Sequence, residues 1–336
     1  MRMPSSKKIV VYGATGAIGT NLIEIMSKNH SDWTILAASR SGGASSYLAS
    51  LKLPNVHLVK GDIEVIEDAR KLTQDVDMVF SCLGFPQYEV KYWAAHWPVV
   101  VKNLLEVTST SRPLIFCDNL YAYGPGTKIN SSSPTVSPSL TSKKGIRATI
   151  RELFAERMKS APKSISVVGG ADFFGPRLEG KTFLGDPFIG NIIHGKNPMA
   201  FCSADKIHDF CYYKDFANAL YVAAINPDKA YGKFWICPHT VHNKTLRDLS
   251  NVIQDILGLE GKDRLGVQVL PSFLISFMAL FMGFMKEMKE MKGFWANDYV
   301  VDDSEFVKTF GVEPTPLDVA LRETIAYYQN KRKEDK

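Results

Sequence analysis

The five cysteines, at 82, 117, 202, 211 and 237, contain no CxxC pair. Their odd number and scattered spacing exclude a closed disulfide framework and give no zinc signature. Reduced thiols in a cytoplasmic protein are the expectation, and residues 1–8, short, polar and running straight into a strand, show no signal peptide. Charge of one sign is also scarce: 40 Lys and Arg stand against 35 Asp and Glu, a net +5 over 336 residues. That is too dilute for a nucleic-acid partner, and part of it sits in the solubilising tail Lys331, Arg332, Lys333. No fixed repeat is present, which excludes solenoids and propellers. Long apolar continuity is missing as well. Residues 265–285 carry no charge, but Gln268, Pro271, Ser272, Ser276 and Gly283 interrupt them and Lys286 follows. A membrane span needs about 20 mainly apolar residues, so this stretch is expected to be a buried or substrate-facing helix, a lid, rather than a span; the lesser alternative is an interfacial anchor, which would make the protein a membrane-surface reductase.

What the chain does have is a 45% hydrophobic, 22% charged composition, which belongs to a globular protein with a large core. Short β-rich runs alternate with helical segments: strands are predicted at 9–12, 34–38, 56–60, 78–83, 114–117 and 165–168, with a further one at 234–237. These runs are apolar throughout, as for parallel strands covered on both faces, and strands alternating with helices predict a doubly wound α/β sheet. Residues 89–106 and 145–159 are the longest helical segments between strands, and further helices are predicted at 216–225, 246–257 and 316–331. The Ser-, Thr- and Pro-rich residues 131–142 read as a surface loop. The expected organisation is a dinucleotide-binding domain at 1–175, with returns near 206–258. A smaller, mostly helical substrate-binding or lid domain is expected from 176–205 and 259–330.

The most informative heptad is Gly13-Ala14-Thr15-Gly16-Ala17-Ile18-Gly19, which follows one strand and opens one helix. Glycines allow the tight turn and the close approach of backbone to a pyrophosphate, and the helix N-terminus supplies N–H donors and a positive dipole end. An NAD site usually places Asp or Glu about 20 residues further on, on the ribose 2′-hydroxyl. No acid occurs between Trp33 and Gly61, and the second strand ends in Ser39-Arg40-Ser41. A guanidinium beside hydroxyls suits a 2′-phosphate, so NADP is expected, with NAD as the alternative. Asp62 and Ile63 after the third strand, with Asp62 facing the adenine amino group, and Leu83 and Gly84 after the fourth complete the expected cofactor contacts, since ligands gather at strand carboxyl ends.

These residues, with GDI at 61–63, SCLG at 81–84, DNLYAYGP at 118–125, GGADFFGPR at 169–177 and the closing FGVEPTPLDVALRETIAYY at 310–328, resemble the extended short-chain dehydrogenase/reductase superfamily, the NAD(P)-dependent epimerases and dehydratases. The pieces span most of the chain in the family's order. The resemblance adds Ala171 to the cofactor contacts and implies a dimer paired through the two long helices. One departure stands out. The family carries a Tyr-x-x-x-Lys pair, and the only such spacing here is Tyr327 to Lys331, in the terminal helix. In the expected region Lys144 would hold the nicotinamide ribose while Leu140 replaces the tyrosine; Lys143 with Ser139 is the other register. Carried over by position, the family's serine or threonine falls on Asn119, and Tyr121 becomes the substitute proton donor.

The expected activity is hydride transfer between NADP(H) and a carbonyl or hydroxyl of a small molecule, by an oxidoreductase or epimerase-like enzyme of atypical kind. The alternative is a catalytically silent NADP(H)-binding redox sensor. Seven histidines are scattered; His239 and His242 lie three apart without a carboxylate at ligand spacing, so no metal is expected.

Overall fold

A computed structural model describes residues 6–126 and 128–334. Residues 1–5 of the polar N-terminal stretch and the side chain of Lys333 lie outside the described residues.

Seven strands form the central sheet: β1 (Lys8–Tyr12), β2 (Thr34–Ser39), β3 (Val56–Lys60), β4 (Met78–Ser81), β5 (Leu114–Asn119), β6 (Ile165–Gly170) and β7 (Lys233–Ile236). Their order is β3-β2-β1-β4-β5-β6-β7 and the sheet is parallel. Ile9, Val10 and Val11 of β1 are fully buried, the outcome of a continuous apolar run covered on both faces. Order reverses between β1 and β4, where two neighbouring strands send their chains in opposite directions. In doubly wound sheets ligands bind at this switch point, beyond the strand carboxyl ends.

Helix α1 (Ala17–Asn29) follows β1, α2 (Val90–Val107) follows β4, and α3 (Lys143–Ser160) precedes β6. Trp97 of α2, Phe116 of β5 and Phe154 of α3 pack edge to face in sequence, with ring centroids 6.2 and 4.8 Å apart, and all three are buried. The predicted end of β4 at Leu83 is two residues too long: pairing stops at Ser81, because its neighbour β1 has already turned away at Gly13.

The chain divides into two compact units. One comprises the residues through Ala122, Val136–Gly169 and Phe216–Ile236, and contains the sheet. The other comprises Tyr123–Thr135, Gly170–Asp215 and the residues from Cys237 onward. It holds two short parallel strand pairs, Phe173–Phe174 with Cys211–Tyr212 and Met199–Phe201 with Gln268–Leu270. Its helices include α4 (Leu246–Ile256), α5 (Ser272–Met278), α6 (Gly283–Ala296) and α7 (Leu317–Glu334).

The uncharged stretch 265–285, expected as a buried or substrate-facing helix, is not one continuous helix. It begins as the strand Gln268–Leu270, restarts as α5 after Pro271, turns, and enters α6 at Gly283. Pro271 lacks an N–H and is tolerated only at a helix start. Ile275 is buried, but Phe273, Phe277, Leu280 and Phe281 are 60–77% exposed. Among the described residues no helix is long and apolar enough to cross a membrane.

Candidate functional site

The turn after β1 is shaped for close approach. Gly13 has φ +76°, and a Cβ there would lie 2.4 Å from the Cys82 carbonyl oxygen. A Cβ on Gly19 would lie 2.3 Å from the Gly13 carbonyl oxygen. Side chains at either position would push the β1 turn away from the β4 end or from its own helix. Gly16 caps α1 without any side-chain hydrogen bond, and the first turn carries no acid. The N–H groups of Ala17, Ile18 and Gly19 therefore have no intrahelical acceptor and stand at the positive dipole end.

At the end of β2 the Ser39 hydroxyl is buried and without a partner. It lies close to Gly43, as does the methyl of the exposed Thr15. Arg40 is exposed, with no ion pair among the described residues. Lys60, paired with Ser39 in the β2–β3 register, is a second exposed cation, its Cβ near Gly42. Sequence reading missed Lys60 because its neighbourhood is created by strand pairing across 21 residues of chain. An uncapped helix end, an orphaned hydroxyl and two exposed cations fit the phosphates of a dinucleotide.

Asp62 caps its own turn: Oδ1 accepts from the Glu64 N–H at 3.0 Å. Ile63 is buried beside it. Leu83 packs against the core of the sheet unit, whereas nothing stands within 4 Å of a Cβ built on Gly84. Desolvation pushes the Cys82 thiol up to about 12, which removes it as a nucleophile at neutral pH.

Beyond β5 the chain enters a single 3₁₀ turn, Tyr121–Tyr123. Asn119 builds that turn, its side-chain oxygen accepting the Tyr121 N–H at 3.1 Å. Asp118 accepts from the Asn119 N–H at 2.9 Å and from Arg147 Nη1 at 3.0 Å. Both partners of this ion pair are buried, and the guanidinium lies 3.9 Å over Trp97 and 5.0 Å over Trp93. Burial pushes the Asp118 carboxyl up, while Arg147 and the Asn119 N–H pull it back.

Tyr121 Oη meets Tyr88 Oη at 3.1 Å, and Lys143 Nζ stands 4.4 Å over the Tyr88 ring. Lys143 is fully buried in the first turn of α3. An ammonium there works against both desolvation and the helix dipole, the kind of local conflict that functional sites retain. Lys144, favoured by the sequence alignment, is only half-buried and projects about 100° away around the helix. The second register, with Ser139 in place of the tyrosine, brings a lysine to the phenols. Leu140 is 46% exposed. Tyr88 was not foreseen: it lies on the β4–α2 loop, 33 residues from Tyr121, and only the aromatic series Phe85, Tyr88, Tyr92, Trp93 and Trp97 hints that this loop packs inward.

Tyr327 and Lys331, the only pair at the family's spacing, both bind Glu179 and form a surface clamp. Ala171, in the second unit, gives its N–H to His239 Nε2 at 3.0 Å. His239 and His242 do meet carboxylates that spacing did not reveal. Asp303 Oδ2 accepts the His239 N–H at 2.6 Å and lies 3.1 Å from His242 Nε2, and Asp209 lies 3.5 Å from His242 Nδ1. Among the described residues no group of three His, Cys, Asp or Glu is arranged to hold a metal ion.

A glycine turn at the switch point of a seven-stranded parallel sheet, with a buried lysine beside tyrosines at the strand ends, defines an NAD(P)-dependent enzyme of the short-chain dehydrogenase/reductase type. Within that class the chain belongs to the NAD dependent epimerase/dehydratase family, whose model matches residues 9–237. No curated protein matches it by sequence. Similar solved structures include dTDP-glucose 4,6-dehydratase from Bacillus anthracis in complex with NAD, 16% identical over 98% of both chains with TM-score 0.76. UDP-glucuronic acid 4-epimerase from Bacillus cereus is 18% identical over 97% of this chain and 98% of its own, with TM-score 0.74. UDP-glucose 4-epimerase from Thermotoga maritima is 16% identical over 97% and 99%, with TM-score 0.73. At these identities the likeness is one of fold.

Proposed function

We propose that this chain is an NADP(H)-dependent oxidoreductase or epimerase-like enzyme that acts on a carbonyl or hydroxyl carbon of a small molecule. The observation that carries the reading is the Tyr88–Tyr121–Lys143 group, a hydrogen-bonded pair of phenols with an ammonium against one ring, at the strand-end region where the family carries its tyrosine and lysine.

Gly13, Thr15, Gly16, Ala17, Ile18 and Gly19 would hold the pyrophosphate, with Asp62, Ile63, Leu83 and Gly84 along the adenine and nicotinamide sides, and Ser39, Arg40 and Lys60 would take the 2′-phosphate. NADP over NAD rests on those cations and on the absence of an acid from Trp33 to Gly61, although the similar dehydratase and epimerase structures contain NAD. Bound there, the nicotinamide supplies or accepts the hydride. The protein's part is to hold the substrate oxygen and move its proton. Tyr121 Oη donates to the oxygen as negative charge develops on it, Tyr88 Oη hydrogen-bonds to Tyr121, and the Lys143 ammonium stabilises the charge left on the phenols. Asn119 shapes the turn that presents Tyr121. Lys143 replaces Lys144 in this assignment because it is the buried one.

The second compact unit is assigned substrate recognition. The similar structures are named for nucleotide-sugar enzymes; for this chain a nucleotide sugar and an apolar or mixed small molecule are equal candidates. The test is Tyr121→Phe, measured for NADPH binding and for NADPH oxidation in a carbonyl screen. Binding retained with turnover lowered about 100-fold or more supports the assignment; full turnover contradicts it. Binding without turnover in the wild type, across the screen, favours the silent sensor.

A further inference from the structure

The described chain has twelve exposed large apolar side chains, and five fall within ten residues: Phe273 at 74%, Phe277 at 60%, Leu280 at 71%, Phe281 at 77% and Met282 at 47%. Phe277 and Phe281 touch edge to face, with centroids 5.7 Å apart, so these side chains form one patch. The α5–α6 hairpin does not need them for its own packing: Ile275, Met288, Met291, Phe294 and Trp295 already supply a buried inner face. Contiguous apolar surface of this kind marks an interaction site.

Charge decides the kind of partner. The patch lies in a segment free of charge from residue 265 to 285, and directly behind it come Lys286, Lys289 and Lys292, all exposed, while Glu287 and Glu290 are half-buried. An aromatic tip backed by a lysine row complements an anionic lipid surface: the rings enter the acyl boundary and the lysines extend to the headgroups. A second copy is disfavoured, since a twofold contact through the patch would set lysine row against lysine row. The segment is too broken to span. We infer that the α5–α6 hairpin docks this protein peripherally on anionic membranes.

The test uses the full chain sedimented with phosphatidylcholine vesicles, with and without phosphatidylserine. The wild type is expected to pellet with phosphatidylserine vesicles and to be released by high salt. Each Phe→Ser change at 273, 277 or 281 should lower partitioning about tenfold, with an unchanged melting temperature because the sites are exposed. Lys286→Glu with Lys289→Glu should abolish the phosphatidylserine preference. A wild type that stays in the supernatant with both vesicles overturns the inference. So does a wild-type dimer in light scattering that the Phe→Ser variants convert to monomer, or variants that pellet as well as the wild type. None of these readouts depends on cofactor or turnover.

Discussion

At the scale of single residues, the proposed chemistry rests on contacts that sequence distance hides. Tyr121 enters the proposal by its position two residues after Asn119, which stands where the family has its serine or threonine. Tyr88 was not legible in the sequence, because nothing local marks a loop residue as the partner of a phenol 33 residues away. Sequence position put Lys144 first and Lys143 second; Lys143 is the one that is buried and lies over the Tyr88 ring, and the proposed function rests on it. Lys143→Met should therefore lower turnover at least as strongly as Tyr121→Phe, while Lys144→Met should change it less than about threefold; steady-state kinetics on the two variants separates them. The buried ion pair beneath the site gives a stability prediction. Arg147→Met leaves Asp118 buried and uncompensated, which costs about 3–5 kcal/mol. Changing Asp118→Asn as well should recover part of the loss, and urea unfolding of the two variants measures both values.

Among elements, the parallel strands were the most readable part, because continuous apolar runs have few other uses. Helix ends and the Asp–His contacts of the second unit were less so. His242 touches Asp209 and Asp303, which lie 33 and 61 residues from it and join three separate loops. The two carboxylates push His242 up to about 10, and against burial, which alone would raise it, His239 and His242 hold Asp303 well below the usual carboxylate range. The raised histidine stabilises the fold fully below its ordinary value of 6.5, and the contribution is lost as pH rises towards 10. The depressed Asp303 contributes fully above 3.8 and is lost as pH falls below it. The unfolding free energy should therefore fall between pH 6.5 and 10, and His242→Gln should flatten that slope; melts across this window check it. The 265–285 segment was misread for a related reason. Lack of charge signals removal from water only if the segment is one continuous helix, and Pro271 and Gly283 divide it so that part of its apolar surface faces outward.

For the whole molecule, the alternation of strands and helices was enough to predict a doubly wound sheet, and the glycine heptad was enough to place its switch point. The last strand of the sheet was foreseen at 234–237 and lies at Lys233–Ile236, whereas the passage of Tyr123–Thr135 into the other unit carries no mark in the sequence. The central claim, a phosphorylated dinucleotide held at the ends of β1 and β2, joins these scales: fold, helix end and two cations. Calorimetric titration of the cofactor-free protein with NADPH and NADH, repeated on Arg40→Ala, tests it most directly. The account predicts tighter binding of NADPH than of NADH, with a selective loss of about 10- to 100-fold for NADPH in the variant. Equal binding of the two cofactors, unchanged by Arg40→Ala, would contradict the phosphate assignment, and binding of neither would contradict the cofactor site itself.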